Sequence, residues 1–455
     1  MGTGIKMKIL IAAYYFPPIG GAGAQRPLKF AKYLLELGWS VTVITKSLES
    51  GANRWQPTDT SLTSDMERLN EKFEVIRVPN EPTSTTAGQI DPYENWAVNV
   101  GHAVSELLET NPHDAIMFTM SPFSLVRAAE IVRAKIQIPI ILDFRDPWAF
   151  DGWQVQKSYI HWRKLFAEMS NALSHADGVI ANTSEVGRLF STEFSHMTDE
   201  KLEVIENGYD AEDFEEVPLH SFSKAPEKIK LVFTGSLCTD YLEYYSGLKG
   251  VAKKFIQYSA EKIDYSGRTL VPILKALEVL QSSGNELGFK FQIHCYGVFT
   301  EADRQSVSAS GLEDIVFFHG YVPHKESIHK ICNADALFLP LHGLGNGCRS
   351  RIVPGKTYEY LATGRPILGC LPEGDARDLV MQSENGFVAD PCDYQSIIAA
   401  LEQLSKKVES SNSSSASNTF VKRYERRELT VRLASFVKKI CTLYEKRIDK
   451  TGSNT

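Results

Sequence analysis

Short apolar runs alternate with amphipathic helical stretches along most of the chain. Lys8 to Ala13 is one continuous apolar run and Val41 to Thr45 a second. Between them Leu28, Ala31, Leu34, Leu35 and Leu37 form a helical stripe, and Gly38 closes that helix. The unit reads as strand, helix, strand, with parallel strands covered on both faces. Further strands are expected at Glu74–Val78, Ala115–Phe118, Pro139–Asp143, Gly178–Ala181 and Leu202–Ile205. The pattern lapses around Asn207 to Lys228, then restarts with Lys230 to Thr234, which runs into Gly235-Ser236. Later strands are expected at Phe289–Cys295, Ile315–Phe318, Ala336–Leu339 and Pro366–Leu368. The expected fold is α/β: two doubly wound Rossmann-like domains, residues 1–206 and 229–408, joined by a linker at 207–228 and facing a cleft. In such sheets ligands bind beyond the carboxyl ends of the strands, so the chemistry is sought in the loops that follow them.

Two segments break the alternation. Residues 238–268 separate a strand from its helix by far more than the roughly 2–6 residues usual for such a loop. They hold Tyr241, Tyr244, Tyr245, Tyr258 and Tyr265 among several lysines. The simpler reading is a surface insertion carrying its own helix; the sharper one is a substrate-binding lid. Residues 409–418 are a Ser/Asn-rich linker. Residues 419–447 then form a final helix from Phe420 to about Arg447, with Tyr424, Leu433, Phe436, Val437, Ile440 and Tyr444 at helical spacing. Lys422, Arg423, Arg426, Arg427, Arg432, Lys438 and Lys439 occupy its other faces. It reads as a helix docking back on the body with a solvated basic face; contact with anionic lipid headgroups is the alternative.

Composition narrows the classes. Of 455 residues 43% are hydrophobic and 23% charged, an ordinary globular balance that excludes wholesale disorder, a collagen-like repeat and a polytopic membrane protein. A net charge of −7 gives no global basic field, which argues against nucleic acid as a partner. Seven scattered cysteines without a C-x-x-C fit neither a disulfide framework nor a zinc site, and point to a reducing cytoplasm. The first apolar run stops at Pro17-Pro18, too early for a membrane span, and no signal-peptide cleavage pattern follows.

Three segments carry candidate chemistry. Tyr14 to Gly23 (Tyr-Tyr-Phe-Pro-Pro-Ile-Gly-Gly-Ala-Gly) leaves the first strand and opens a helix, where glycines let backbone N–H groups approach an anion. It lacks the third glycine of a dinucleotide fingerprint, and the second strand ends in Lys46 rather than an acid; a tight structural turn is the plain alternative. Asp143-Phe-Arg-Asp-Pro-Trp148 sets two carboxylates, a guanidinium and an indole at a strand's carboxyl end. Asp146 is a turn residue before Pro147, or a group that binds a sugar hydroxyl or accepts its proton. Pro354-Gly-Lys-Thr-Tyr-Glu-Tyr-Leu-Ala-Thr-Gly-Arg-Pro-Ile-Leu368 opens a short helix with Glu359 in its first turns, as a cap or as an acceptor for ligand hydroxyls. Upstream, His342-Gly-Leu-Gly-Asn-Gly347 can wrap a ligand, and Arg349, Arg351 and Lys356 supply cations.

Taken together these pieces resemble glycosyltransferase family 4, the retaining, nucleotide-sugar-dependent group with the GT-B fold. The resemblance lies in Tyr-Phe-Pro-Pro-Ile-Gly-Gly near the start, Phe-Arg-Asp-Pro-Trp midway and Lys-Thr-Tyr-Glu-Tyr-Leu-Ala-Thr-Gly-Arg-Pro-Ile late. Ala176 to Ala181, Val204 to Gly208 and Asn333 to Pro340 match in the same order. It implies a donor bound mainly by the C-terminal domain and an acceptor bound mainly by the N-terminal domain, with no metal and no other cofactor. Glu359 would hold the nucleotide ribose, the Gly20-Gly21 loop would approach the diphosphate, and main chain near Tyr321-Val322 would meet the base. Gly235, Ser236, Asn346, Gly347, Arg351 and Lys356 complete the implied donor side. Asp143, Arg145, Trp148 and Asp146 form the acceptor side, with Asp146 nearest the chemistry. The leaving phosphate can itself take the acceptor's proton, so no protein nucleophile is needed.

Three departures from the family pattern stand out. Arg351 occupies the place of the family's first glutamate, whose contact would fall to the Asn346–Gly347 backbone. The cations after the first C-domain strand are displaced, leaving Lys249 and Arg268 as rivals, with Arg268 preferred because a helix resumes directly after it. Asp143–Asp146 stands where many members carry a histidine. The family reading places the protein in the cytoplasm, peripheral at the inner membrane face, building surface polysaccharide such as lipopolysaccharide on a glycan or lipid-linked acceptor. An inactive scaffold or sugar-nucleotide sensor is the alternative from another class, and a sugar-nucleotide epimerase a weaker one.

Overall fold

The computed structural model describes residues 7–47, 59–80, 90–215, 217, 226–244, 257–345, 348–410 and 419–452. It divides into two compact units: Met1–Ala149 with Arg163–Asn207 and Arg426–Thr455, and Phe150–Trp162 with Gly208–Glu425.

The first unit is built on strands β1 (Lys8–Ala12), β2 (Ser40–Lys46), β3 (Phe73–Val78), β4 (Ala115–Thr119), β5 (Ile140–Phe144), β6 (Gly178–Ala181) and β7 (Leu202–Val204). They form one parallel sheet in the order β3-β2-β1-β4-β5-β6-β7. Parallel strands covered on both faces need apolar side chains at every position rather than at alternate ones. Ile9 to Ala12 accordingly expose none of their surface, and β4 and β5 are buried throughout. The Ala22–Glu36 helix buries Leu28, Ala31 and Leu34 in a core shared with β1 and β2.

Leu429, Leu433, Phe436, Val437 and Ile440 of the Arg426–Gly452 helix complete that same core. This helix differs from the expected single helix from Phe420. A short Thr419–Lys422 helix comes first, and the chain turns at Arg423–Glu425. Before the turn Tyr424 packs on Tyr358 of the second unit, so the stripe serves two cores. The basic face is largely engaged: Arg427 pairs with Glu36, Arg432 with Glu203 and Glu206, and Arg447 with Asp177. These pairs fit docking onto the unit rather than lipid contact.

The second unit contains β8 (Ile229–Thr234), β9 (Ile263–Asp264), β10 (Phe291–Tyr296), β11 (Val316–Gly320), β12 (Ala336–Pro340), β13 (Gly343–Leu344), β14 (Ile367–Cys370) and β15 (Gly386–Ala389). Its main sheet is parallel, in the order β11-β10-β8-β12-β14-β15; β9 and β13 pair antiparallel outside it. β15 was not expected: it is a short edge strand opened by a glycine, with only Ala389 fully covered. Phe289, expected in a strand, ends a 3₁₀ turn and is half exposed, and β10 starts two residues later. The expected linker after Asn207 begins inside this unit, where Tyr209 N donates to Tyr424 O at 3.0 Å. All seven cysteines are free thiols.

Leu433 is fully buried between the docked helix and the first sheet. Leu433→Ala should therefore cost about 2–5 kcal/mol in urea unfolding, whereas Lys446→Ala, on an exposed face, should stay within about 0.5 kcal/mol.

Candidate functional site

In the second sheet the strand order reverses beside β8, which puts the ligand crevice over the ends of β8 and β12. β8 ends at Thr234, and Gly235 follows exposed at φ +116°. A Cβ at Gly235 would stand 3.0 Å from the Lys356 ammonium, so a side chain there would crowd the cation as well as strain the backbone. Lys356 lies in the first turn of the Gly355–Thr363 helix. Its Nζ donates to the Thr234 carbonyl at 2.6 Å and sits 4.0 Å from the Phe233 ring centroid. Burial holds its pKa well below the ordinary lysine value; nearby Arg268 lowers it further, and Glu359 opposes both. Among the described residues Lys356 forms no ion pair with a carboxylate. Arg268, at the end of the Tyr265–Arg268 turn, makes no side-chain hydrogen bond or ion pair among them. Two cations thus converge at a helix N-terminus, where partial positive charge is already present. Beneath them Thr357 Oγ1 is buried without a hydrogen-bond partner.

Glu359 is 8% exposed, and its Oε1 lies 2.8 Å from Nε2 of His324, whose Nδ1 is 3.8 Å from Asp213. It does not act as a cap; it is a carboxylate held from the side. His324 begins a helix directly after the Tyr321–Val322 turn, where Tyr321 is 41% exposed. Tyr360 OH fixes the end of β8 through Thr234 N at 3.0 Å and Thr234 Oγ1 at 3.1 Å. Arg351 is ion-paired with Glu261 of the insertion and lies 6.0 Å from the Phe150 ring. Arg349 pairs with Asp378. Ser236 is half-buried next to Gly235. Asn346, Gly347 and Lys249 lie outside the described residues.

Sequence reasoning missed His324 and gave no role to His342. His342 is fully buried beyond β12 against the edge of Trp153, with both ring nitrogens unpartnered, and burial with Arg268 nearby pushes its pKa down to about 3. A neutral imidazole is what burial beside a cation demands.

In the first unit the loop after β1 places Gly20 buried and Gly21 as N-cap of the Ala22–Glu36 helix. Two residues expected on the acceptor side have other tasks. Asp143 is fully buried and takes both its bonds from Arg26, at 2.7 and 3.0 Å, while Arg26 also donates to the carbonyls of Ile205 and Glu206. Trp148 is fully buried, stacked 5.3 Å from Phe123 and 6.3 Å from Phe144. Both are therefore removed from acceptor contact: the first by a satisfied ion pair, the second by packing.

Arg145 and Asp146 remain partly accessible. Arg145 donates to Gly23 O at 3.0 Å, tying this loop to the glycine loop. Burial raises the pKa of Asp146, with Arg145 opposing. Nearby Asp91 is also raised by burial, although it accepts from the backbone N–H groups of Ser124 and Tyr93, each at 2.9 Å. The Tyr15 phenol is raised by burial, then by Tyr93, Asp91 and Asp146. Tyr15, Asp91, Tyr93, Arg145 and Asp146 thus form one polar cluster, of which the sequence indicated only the last two. Among the described residues no group of three or more His, Cys, Asp or Glu is placed to hold a metal ion.

Removing Asp143 leaves Arg26 buried without its counter-charge. Asp143→Ala should lower unfolding stability by about 3–5 kcal/mol; unchanged stability with a selective loss of activity would restore Asp143 to the acceptor side.

Residues 23–213 match the family model described as Glycosyltransferase Family 4, and residues 263–407 that described as Glycosyl transferases group 1. No curated protein matches the sequence. Several solved structures share the fold. Sucrose-phosphate synthase from Thermosynechococcus elongatus aligns at TM-score 0.60 and 11% identity, over 99% of this chain and 100% of its own. The lipopolysaccharide outer core galactosyltransferase WaaB aligns at 0.55 and 12%, over 95% and 99%. The catalytic domain of starch synthase IV from Arabidopsis thaliana, bound to ADP and acarbose, aligns at 0.56 and 12%, over 96% and 100%. At such identities the likeness is one of fold, two Rossmann-like units of GT-B type.

Proposed function

Because the chain is a glycosyltransferase of the family 4 type on the GT-B fold, we propose that it moves a sugar from a nucleotide-sugar donor to a glycan or lipid-linked acceptor with retention of anomeric configuration. The observation that supports this most is the pair Lys356 and Arg268, two cations at the end of β8 that form no ion pair with a carboxylate among the described residues. Such a pair at a helix N-terminus suits a diphosphate. Gly235 leaves room for the phosphates, and Ser236 adds a hydroxyl. Glu359, positioned by His324, accepts the ribose hydroxyls, and the backbone at Tyr321-Val322 meets the base.

In this reading the bond between the anomeric carbon and the phosphate oxygen breaks while negative charge grows on the leaving diphosphate. Lys356, Arg268 and the helix N-terminus stabilise that charge in place, without a metal and without reorganising. The acceptor hydroxyl attacks from the same face, and its proton passes to the leaving phosphate. Asp146, whose carboxyl is biased toward the protonated form, binds an acceptor hydroxyl. Arg351, neutralised by Glu261, takes no direct part in holding the phosphates. WaaB is a lipopolysaccharide outer core galactosyltransferase, which favours a similar surface-glycan task here, carried out in the cytoplasm and peripherally at the membrane face. Among the described residues no helix is long and apolar enough to cross a membrane.

Two outcomes test the donor site by calorimetry with UDP, GDP and ADP. Glu359→Ala should weaken the preferred nucleotide about 10- to 100-fold, the worth of a hydrogen bond to a charged group, with circular dichroism unchanged. Unchanged affinity would sink its role. Lys356 must be protonated to attract phosphate, and its lowered pKa means that it loses its proton at a lower pH than an ordinary lysine. Affinity should therefore fall as pH rises through that lowered value, and Lys356→Arg should abolish the fall; an identical pH profile in both would contradict the assignment.

A further inference from the structure

A cavity lies in the second unit, lined by none of Lys356, Arg268, Gly235 or Glu359. It holds about 580 Å³, within the roughly 300–1,000 Å³ range of small-molecule sites. Tyr241, Tyr258, Tyr265, Glu261 and Asp264 of the insertion wall it on one side, and Val155 of the 150–162 segment on the other. The described parts of the insertion are therefore not a bare surface excursion.

The walls are stitched together. Gln156 and Tyr258 exchange backbone hydrogen bonds at 2.7 and 2.9 Å, and Ser259 Oγ donates to Gly152 O at 3.1 Å. β9 pairs with β13, and Gly345 N donates to Lys262 O at 2.7 Å. A Cβ at Gly152 would meet Ile263 at 2.6 Å, so the two segments touch as closely as a glycine allows. The aromatic side is equally fixed. Tyr241 and Tyr265 stack at 5.0 Å, and Trp153 sets its edge on both at 5.0 and 5.1 Å. Tyr258 continues outward to Trp162 and Tyr159, at 5.2 and 5.1 Å, and Tyr159 is 51% exposed.

The polar side holds two acids beside Gln257, Ser259 and Lys262. Glu261 is paired with Arg351, and Asp264 accepts from Ser266 N at 3.1 Å and from its Oγ at 2.6 Å. With Arg351 paired to Glu261, and Lys262 and Asp264 both in the lining, the cavity offers no net positive charge to draw a diphosphate or an anionic headgroup. Aromatic faces beside carboxylate acceptors suit a pyranose ring instead, whose apolar C–H face packs on an aromatic ring while its hydroxyls donate to the acids.

We propose that this cavity is a saccharide subsite which holds a pyranose unit of a neutral or amino-sugar glycan. That the glycan is the acceptor rests on the transferase reading; that the cavity binds saccharide does not. The test is saturation-transfer-difference NMR on the full chain with maltose, lactose, cellobiose and N,N′-diacetylchitobiose as probes, with and without saturating UDP. At least one probe should give ring-proton signals that persist with UDP. Its affinity should fall about tenfold in Tyr258→Ala and in the nearly isosteric Glu261→Gln, while each variant still melts cooperatively. No signal from any probe, signals equal in both variants, or displacement by UDP would each overturn the subsite. Loss of UDP binding with saccharide signals intact would instead strike the donor reading and leave the subsite standing.

Discussion

The structure turns on a half-buried cation, Lys356, that forms no ion pair with a carboxylate among the described residues. Moving an ammonium out of water costs several kcal/mol unless something replaces its hydration. The Thr234 carbonyl and the Phe233 ring supply only part of that for Lys356. Arg268 adds repulsion rather than relief. The chain around them is arranged to tolerate this. Tyr360 pins the end of β8, Gly235 offers no side chain to cover the charge, and the Gly355–Thr363 helix turns its positive end into the same place. In the proposed reading, a diphosphate bound here would offset these costs.

The first unit shows the contrasting solution. Arg26 is also a cation buried near strand ends, but it is fully spent on Asp143 and two carbonyls. A satisfied buried pair holds a helix to a sheet and has nothing left for a ligand. Beside it lies the cluster of Asp91, Tyr93, Tyr15, Arg145 and Asp146, in which burial raises the pKa of Asp91, Tyr15 and Asp146. Asp143 and Asp146 are the same residue type in one loop, and their partners distinguish them.

That difference also marks what the sequence could disclose. Parallel strands buried on both faces leave continuous apolar runs, so β1, β2, β5 and β8 were legible within a residue or two. β15 was not, because a short, glycine-led edge strand leaves no such run. Glu359, Lys356 and Gly235 stood out in the sequence because they lie at a helix start or directly after a buried strand, and the structure brings Lys356 and Gly235 together. Asp143 and Trp148 sit in the same kind of loop as Asp146, and only the partners Arg26 and Phe123, distant in sequence, separate packing from chemistry. His324, Asp91 and Tyr93 carry no local signature; long-range folding alone brings them to their sites. The final helix was read as one because its stripe is nearly continuous, although the turn at Arg423–Glu425 divides it between two cores.

The most direct test of the central claim is a thermal-shift panel of the full chain against UDP-, GDP-, ADP- and dTDP-sugars. A ligand confined to the folded state raises stability by about 2.7 kcal/mol at a hundredfold excess over its dissociation constant. The account predicts a selective upward shift with one nucleotide class, lost when Lys356 and Arg268 are both replaced by alanine. No shift with any of the four, from a protein that melts cooperatively, would contradict it.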